Sequence, residues 1–240
     1  MKKYRRRIVS IIILLAMFFV AAALYVEDYY RADDSVYSYL EENSAYSVAA
    51  MEDAYVLMPE NPIAGIIFYP GAKVEYSAYL PLMGELAKEG IACVLLKMPF
   101  NLAMFDIDGA EDYIDLFPQV ASWYLMGHSL GGSMAAINFY NNYEEYSGII
   151  LLASYSTKDL SDLGARALTI YGSEDEVLNK ESFEKYQSNL PTDFTKVVID
   201  GGCHSYFANY GLQDGDGKPT ISREEQISLS VSTILDFIKN

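Results

Sequence analysis

The strongest chemical signal in this 240-residue chain is the hexapeptide Gly127-His128-Ser129-Leu130-Gly131-Gly132. A buried-type apolar run at 123–126 leads into it, and a helix-compatible stretch at 129–142 leads out. A G-x-S-x-G sequence between a strand and a helix reads as a nucleophile elbow. Its glycines permit a turn so tight that a side chain at Gly127 or Gly131 would strike neighbouring backbone. The serine hydroxyl is lifted above the sheet at a helix N-terminus, where amides and the dipole favour developing negative charge. The pentapeptide alone would also fit an ordinary Gly-rich turn; the flanking strand and helix select the elbow. A serine hydroxyl is a weak nucleophile and needs a base within hydrogen-bond reach. The chain has two histidines. His128 lies inside the elbow with a side chain that diverges from Ser129, which suits packing or hydrogen bonding beneath the turn. His204 follows a strand at 196–199 through Asp200-Gly201-Gly202-Cys203, and is the candidate base. A carboxylate between serine and histidine in chain order would orient that base. The loop Gly172-Ser173-Glu174-Asp175-Glu176-Val177, after a strand at 167–171, offers three.

These residues need a scaffold that brings three distant loops together. Short strand-like stretches at 48–51 and 55–58 precede an alternation of continuous apolar runs and amphipathic segments. Strands are expected at 66–69, 91–96, 123–126, 148–152, 167–171 and 196–199, and helices at 78–89, 109–117, 129–142, 179–190 and 224–239. Apolar strands alternating with helices imply a doubly wound, mostly parallel α/β sheet covered on both faces, with its chemistry at the carboxyl ends of the strands. Only 14 residues separate the strands ending at Leu152 and beginning at Ala167. That interval allows one short helix, around 158–163, and so a minimal lid or none.

With these motifs in this order, residues 45–240 resemble the α/β-hydrolase superfamily. The similarity is greatest to small, lid-poor bacterial serine hydrolases near the dienelactone-hydrolase-like branch. The strings that carry it, beside the elbow, are Tyr69-Pro70-Gly71-Ala72-Lys73, Lys97-Met98-Pro99-Phe100-Asn101-Leu102 and Tyr210-Gly211-Leu212-Gln213-Asp214-Gly215-Asp216-Gly217. The resemblance implies a Ser129, His204, Asp175 triad, because the family's acid loop commonly reads G-x-x-D-x-V and Gly172, Asp175 and Val177 stand in that register. It also implies an oxyanion hole from the backbone amides of Leu130 and Ala72. The implied activity is hydrolysis of a small or short-chain carboxylic ester, with a peptidase or acyltransferase as alternatives, since a triad defines the intermediate and not the acceptor. A silent, surface-tethered binding protein is the rival from another class. Ser129 departs from true dienelactone hydrolases, which use cysteine, and from haloalkane dehalogenases, which use aspartate.

No cofactor or metal is expected. Asp214-Gly215-Asp216-Gly217 lacks the remaining ligands and the terminal glutamate of an EF-hand, and reads as an ordered turn. Cys93, in an apolar run, and Cys203, beside His204, read as packing residues. Lys73 could meet a substrate but reads more simply as solvated.

The charge is uneven. Lys2, Lys3, Arg5, Arg6 and Arg7 precede every acidic residue, and the remainder carries 33 acidic and 12 basic side chains, a formal charge of −21. Such a surface argues against nucleic acid as a partner. Residues 8–26 form an uncharged run of 19, long enough to cross a bilayer. The expected organisation is a signal-anchor or signal peptide at 1–26, a connecting helix or stalk at 27–44 and a catalytic domain at 45–240. The basic cluster places the catalytic domain outside the cytoplasm, tethered by a single pass, or secreted if the chain is cut after Ala23.

Overall fold

The computed structural model describes residues 2–41 and 43–240. Its centre is one eight-stranded sheet: β1 Tyr46–Ala50, β2 Ala54–Pro59, β3 Ala64–Tyr69, β4 Ile91–Leu96, β5 Trp123–His128, β6 Gly148–Leu152, β7 Arg166–Gly172 and β8 Asp193–Ile199. The strand order is β1-β2-β4-β3-β5-β6-β7-β8. β2 runs antiparallel to both neighbours, and every pair from β4 to β8 is parallel. Every residue of β3, β4, β5 and β6 is buried, as the continuous apolar runs require when helices cover both faces. On one face α2 (Leu80–Lys88) and α6 (Arg223–Lys239) pack through Leu82, Met83, Leu86, Ile227, Ile234 and Leu235. On the other, α3 (Glu111–Leu116) and α4 (Leu130–Asn142) pack through Tyr113, Ala135, Ala136 and Phe139. The remaining helix of the body is α5 (Lys180–Lys185).

Strand boundaries fall within a few residues of the sequence expectation. The helices differ more, for local reasons. The segment expected at 78–89 opens as a 3-10 turn, Tyr76–Tyr79, because Pro81 in the first turn of α2 cannot donate to an earlier carbonyl. The segment expected at 179–190 is capped by the Asn179 side chain and tightens into a 3-10 turn after Lys185. No helix forms between β6 and β7, so this stretch is turns only and no lid covers the sheet there.

The N-terminal helix α1, Lys2–Glu27, has Ile8–Glu27 long and apolar enough to be a signal or membrane anchor, and none of that span is buried by the rest of the chain. Residues 28–40 do not stand clear of the body. Tyr30 forms a parallel bridge with Val74, Asp33 N–H donates to the Asn209 carbonyl at 2.9 Å, and the Tyr30 hydroxyl accepts from Asp214 N–H at 3.0 Å. The 3-10 helix Asp34–Leu40 that follows buries Val36 completely.

Candidate active site

The candidate residues meet at the carboxyl ends of the parallel strands. β5 runs directly into Ser129, whose φ of 52° and ψ of −126° are strained for a residue with a side chain. Neighbours hold it there: Ser129 N–H donates to the Leu152 carbonyl at 2.9 Å, and its own carbonyl accepts from the Ser154 hydroxyl at 2.6 Å. Glycine is required at 131 by close approach, since a Cβ would overlap the carbonyl oxygens of Tyr69 and Pro70. The non-glycine residues with positive φ among the described residues are Lys73, Phe100, Asn101, Ser129 and Ala153. All follow the carboxyl ends of β3, β4, β5 or β6, so backbone strain is concentrated on the edge of the sheet that carries the candidate chemistry.

Asp175 and His204 lie on the loops after β7 and β8. Gly172 and Gly202 let these loops touch, because a Cβ on Gly172 would overlap the Gly202 carbonyl. Glu174 N–H donates to the Gly202 carbonyl at 2.8 Å, and Gly201 N–H to the Ser173 hydroxyl at 2.8 Å. Asp175 is fully buried. Its Oδ1 accepts from Val177 N–H at 3.0 Å and Leu178 N–H at 2.7 Å, leaving Oδ2 to His204 Nδ1 at 2.9 Å. Glu174 and Glu176, the other two carboxylates of the loop, make no bond to His204. The opposite nitrogen, His204 Nε2, is buried and has no hydrogen-bond partner. A buried donor or acceptor left unmade is costly and rare, and this one belongs to a ring that lines the same cleft as Ser129 and Leu130. The cleft is about 210 Å³ and is completed by Ser154, Tyr155, Val177 and Leu178. A larger hollow of about 500 Å³, between the 34–40 segment, α2 and α6, holds no candidate residue.

The amides expected to face an oxyanion are free. Gly71 N–H is taken by the Tyr79 hydroxyl at 3.0 Å and Lys73 N–H by the Asn101 carbonyl at 2.8 Å. Ala72 N–H, between them, makes no hydrogen bond. Leu130 opens α4, where a backbone N–H has no carbonyl one turn earlier in the helix to bond.

His128 is fully buried, its ring centroid 4.5 Å from that of His204. Its Nδ1 is 2.7 Å from the Tyr79 hydroxyl. That hydroxyl also accepts from Gly71 N–H at 3.0 Å, so one tyrosine is hydrogen-bonded both to the elbow histidine and to the turn after β3. Burial, reinforced by repulsion from His204, pushes the His128 pKa well below its ordinary value. The elbow histidine is therefore neutral, and Tyr79 links it to the turn that carries Ala72.

The sequence did not reveal Tyr79, which is one tyrosine among 21, nor Asp216. The Asp216 carboxylate accepts from His204 N–H at 3.2 Å, Ser205 N–H at 2.8 Å and the Ser205 hydroxyl at 2.6 Å, and so pins the loop carrying His204. Burial raises its pKa, but the bonds from Ser205 and His204 outweigh this and hold it below the usual value. The 214–217 string was the available signal, and it proves a brace for the histidine loop. Among the described residues no group of acidic, cysteine or histidine side chains could hold a metal. Cys93 and Cys203 are buried, and burial followed by the charge of Asp216 lifts the Cys203 thiol to about 12. Lys73 is paired with Asp28 at 2.7 Å rather than free in solvent.

An eight-stranded sheet with this crossover order, a strained serine between β5 and α4, and a buried histidine–aspartate pair on the last two loops are the features of an α/β-hydrolase fold. Residues 65–228 match the model of the alpha/beta hydrolase family, and the chain belongs to that family. Its fold is similar to that of Est1E from Butyrivibrio proteoclasticus, with a TM-score of 0.59 at 15% identity over 82% of this chain and 100% of that one. It is likewise similar to dienelactone hydrolase from Anabaena variabilis, with a TM-score of 0.57 at 17% identity over 80% of this chain and 96% of the other. An alpha/beta hydrolase from a lagoon-sediment metagenome gives 0.59 at 14% identity over 80% and 97%. No curated protein matches in sequence.

Proposed function

We propose that this protein is a serine hydrolase acting on carboxylic esters with small or short acyl groups. The observation that carries the reading is the pairing of an unpartnered, buried His204 Nε2 with the strained Ser129 on one cleft, while Nδ1 is held by Asp175. In this reading His204 takes the Ser129 proton as the hydroxyl attacks the acyl carbon, and Asp175 stabilises the imidazolium. The amides of Leu130 and Ala72 hold the oxyanion. The alcohol leaves with the proton from His204, and water then repeats the sequence on the acyl-enzyme. A cleft of about 210 Å³ suits a short acyl group, and Est1E, whose fold is similar, has been seen with ferulic acid bound. A peptidase or acyltransferase would use the same groups. With α1 retained as a signal-anchor, the catalytic domain stands outside the cytoplasm.

A fluorophosphonate probe tests the chemistry. The parent should be labelled stoichiometrically and Ser129→Ala not at all; equal labelling of the two, or none of the parent, would sink the assignment and favour a silent binding protein. Protease added to intact cells should digest the domain, and protection until lysis would overturn the topology.

A further inference from the structure

The body of the protein meets α1 at its candidate active site. Lys73, the residue after Ala72, donates from Nζ to Asp28 just beyond α1, and the same ammonium lies 4.6 Å above the ring of Tyr25 inside it. Tyr30 N–H donates to the Lys73 carbonyl at 2.7 Å, so the chain leaving α1 is hydrogen-bonded to the oxyanion turn within three residues. α1 also lies against the turn Pro99–Asn101. There Lys73 N–H bonds the Asn101 carbonyl, and Phe100 and Asn101 both take left-handed φ, 56° and 54°.

This strained turn presents apolar side chains outward. Phe100 is 58% exposed, Phe105 58% and Met104 53%, and the two rings meet edge to face at 5.7 Å. Contiguous exposed apolar side chains mark a protein or membrane interaction site, and this patch lies beside the helix long and apolar enough to enter a bilayer. Of the cations beside this cluster, Lys73 is already paired with Asp28 and Lys97 stands exposed before the turn, while Asp106 follows directly. The domain as a whole is acidic. Attraction to anionic headgroups is therefore excluded as the basis of contact, whereas apolar insertion needs no charge.

We propose that the patch formed by Phe100, Met104 and Phe105, on the loop after β4 at the same end of the sheet as Ser129, beds into the bilayer that α1 enters, so that the cleft opens toward the leaflet. Its substrates are then membrane-resident amphiphiles carrying a small acyl ester. The small cleft takes the acyl group and the leaflet keeps the rest. This rests on the reading of α1 as a retained anchor and of the Ser129 cleft as the catalytic site.

The test uses the full chain reconstituted into phosphatidylcholine vesicles, with and without bromine at acyl positions 6 and 7. Phe105→Trp adds a reporter at the patch. Ile63→Trp adds one at an exposed position before β3, at the opposite end of the parallel strands. The resident Trp123 is buried and supplies a common background. The brominated lipid should quench the added emission of Phe105→Trp and spare Ile63→Trp. Failure of the protein to float with vesicles, or equal quenching of both reporters, overturns the proposal; so does an unquenched Phe105→Trp, which would leave the patch to a protein partner. In a second arm, Phe100→Ser/Phe105→Ser should hydrolyse vesicle-borne hexadecyl acetate at least about tenfold more slowly than the parent. Its rate on soluble p-nitrophenyl acetate should be unchanged. A parent inactive on both esters would strike the catalytic reading while the quenching result still decides the membrane contact.

Discussion

Asp175→Asn should abolish most activity while leaving the fold almost intact, and the structure dictates why. Oδ1 of Asp175 accepts two backbone N–H groups, from Val177 and Leu178. In the asparagine variant only the amide oxygen can serve those two donors, so the amide NH2 must occupy the place of Oδ2, facing His204 Nδ1. A donor at that point forces Nδ1 to accept. The ring proton then moves to Nε2, the nitrogen that must be bare to receive the Ser129 proton. The wrong tautomer is fixed by two backbone amides on the far side of the carboxyl. An equivalent substitution in another serine hydrolase lowers kcat by about 10⁴, which is roughly 5 kcal/mol of barrier. Stability should change much less, because the two bonds from Val177 and Leu178 are kept and the one to His204 is replaced by another of reversed polarity. Asp175→Ala, by contrast, leaves two buried N–H groups unpaired at about 1–3 kcal/mol each. The assay is kcat/KM on p-nitrophenyl acetate beside urea unfolding for parent, Asn and Ala variants. If the Asn variant retained more than about a tenth of the parent kcat, the argument that backbone amides set the tautomer would be refuted.

Asp216→Ala should lower kcat at least about tenfold and stability by roughly 2 kcal/mol, through release of the His204 loop. Because the Asp216 carboxyl is held below its ordinary value in the fold, its contribution is present above the unfolded pKa near 3.8 and lost as pH falls through the lower native value. Unfolding free energies across that acid range should show a loss in the parent that is absent in Asp216→Asn. His128 behaves oppositely to a salt-bridged histidine: it is neutral when folded and binds a proton when unfolded. Stability should fall by about 1.4 kcal/mol per pH unit below about 6.5, and His128→Gln should remove that slope; identical slopes between pH 7.5 and 5 would show that the ring is charged in the fold. Across p-nitrophenyl esters from acetate to palmitate, kcat/KM should peak at short acyl chains, and a steady climb to palmitate would require an acyl tunnel larger than the cleft at Ser129.

The parallel sheet and the order of its candidate residues were legible because both rest on local signals. Continuous apolar runs such as 91–96 mark strands buried on both faces, and Gly127 to Gly132, set between such a run and a helix-compatible stretch, reads as a tight strand-to-helix turn. The identity of the paired acid could not come from such signals, since Glu174, Asp175 and Glu176 differ only in where one loop points them. The fold settles the pairing through Val177 and Leu178, which hold Asp175 alone against His204. Tyr79 and Asp216 were illegible because their roles depend on contacts across 49 and 12 residues, between segments with no shared pattern. Helix ends at Tyr76–Tyr79 and Tyr186–Asn189 failed for a smaller reason, that 3-10 and α-helical turns have nearly the same periodicity over four residues.

The docking of residues 28–40 also has a consequence for the order of assembly. Tyr30 and Asp33 are made early, yet their partners Asn209 and Asp214 lie about 180 residues downstream, beyond the last strand of the sheet. Loop closure over such a separation is slow and is rewarded only once the distant contacts exist. In vectorial synthesis the segment next to α1 therefore has its pairing with residues 73–75 to rely on until the remainder of the chain emerges and folds. A chain truncated before residue 209 should keep the bonds from Tyr30 to the candidate oxyanion turn but lose the Asp33–Asn209 and Tyr30–Asp214 bonds that close the segment onto the C-terminal loops.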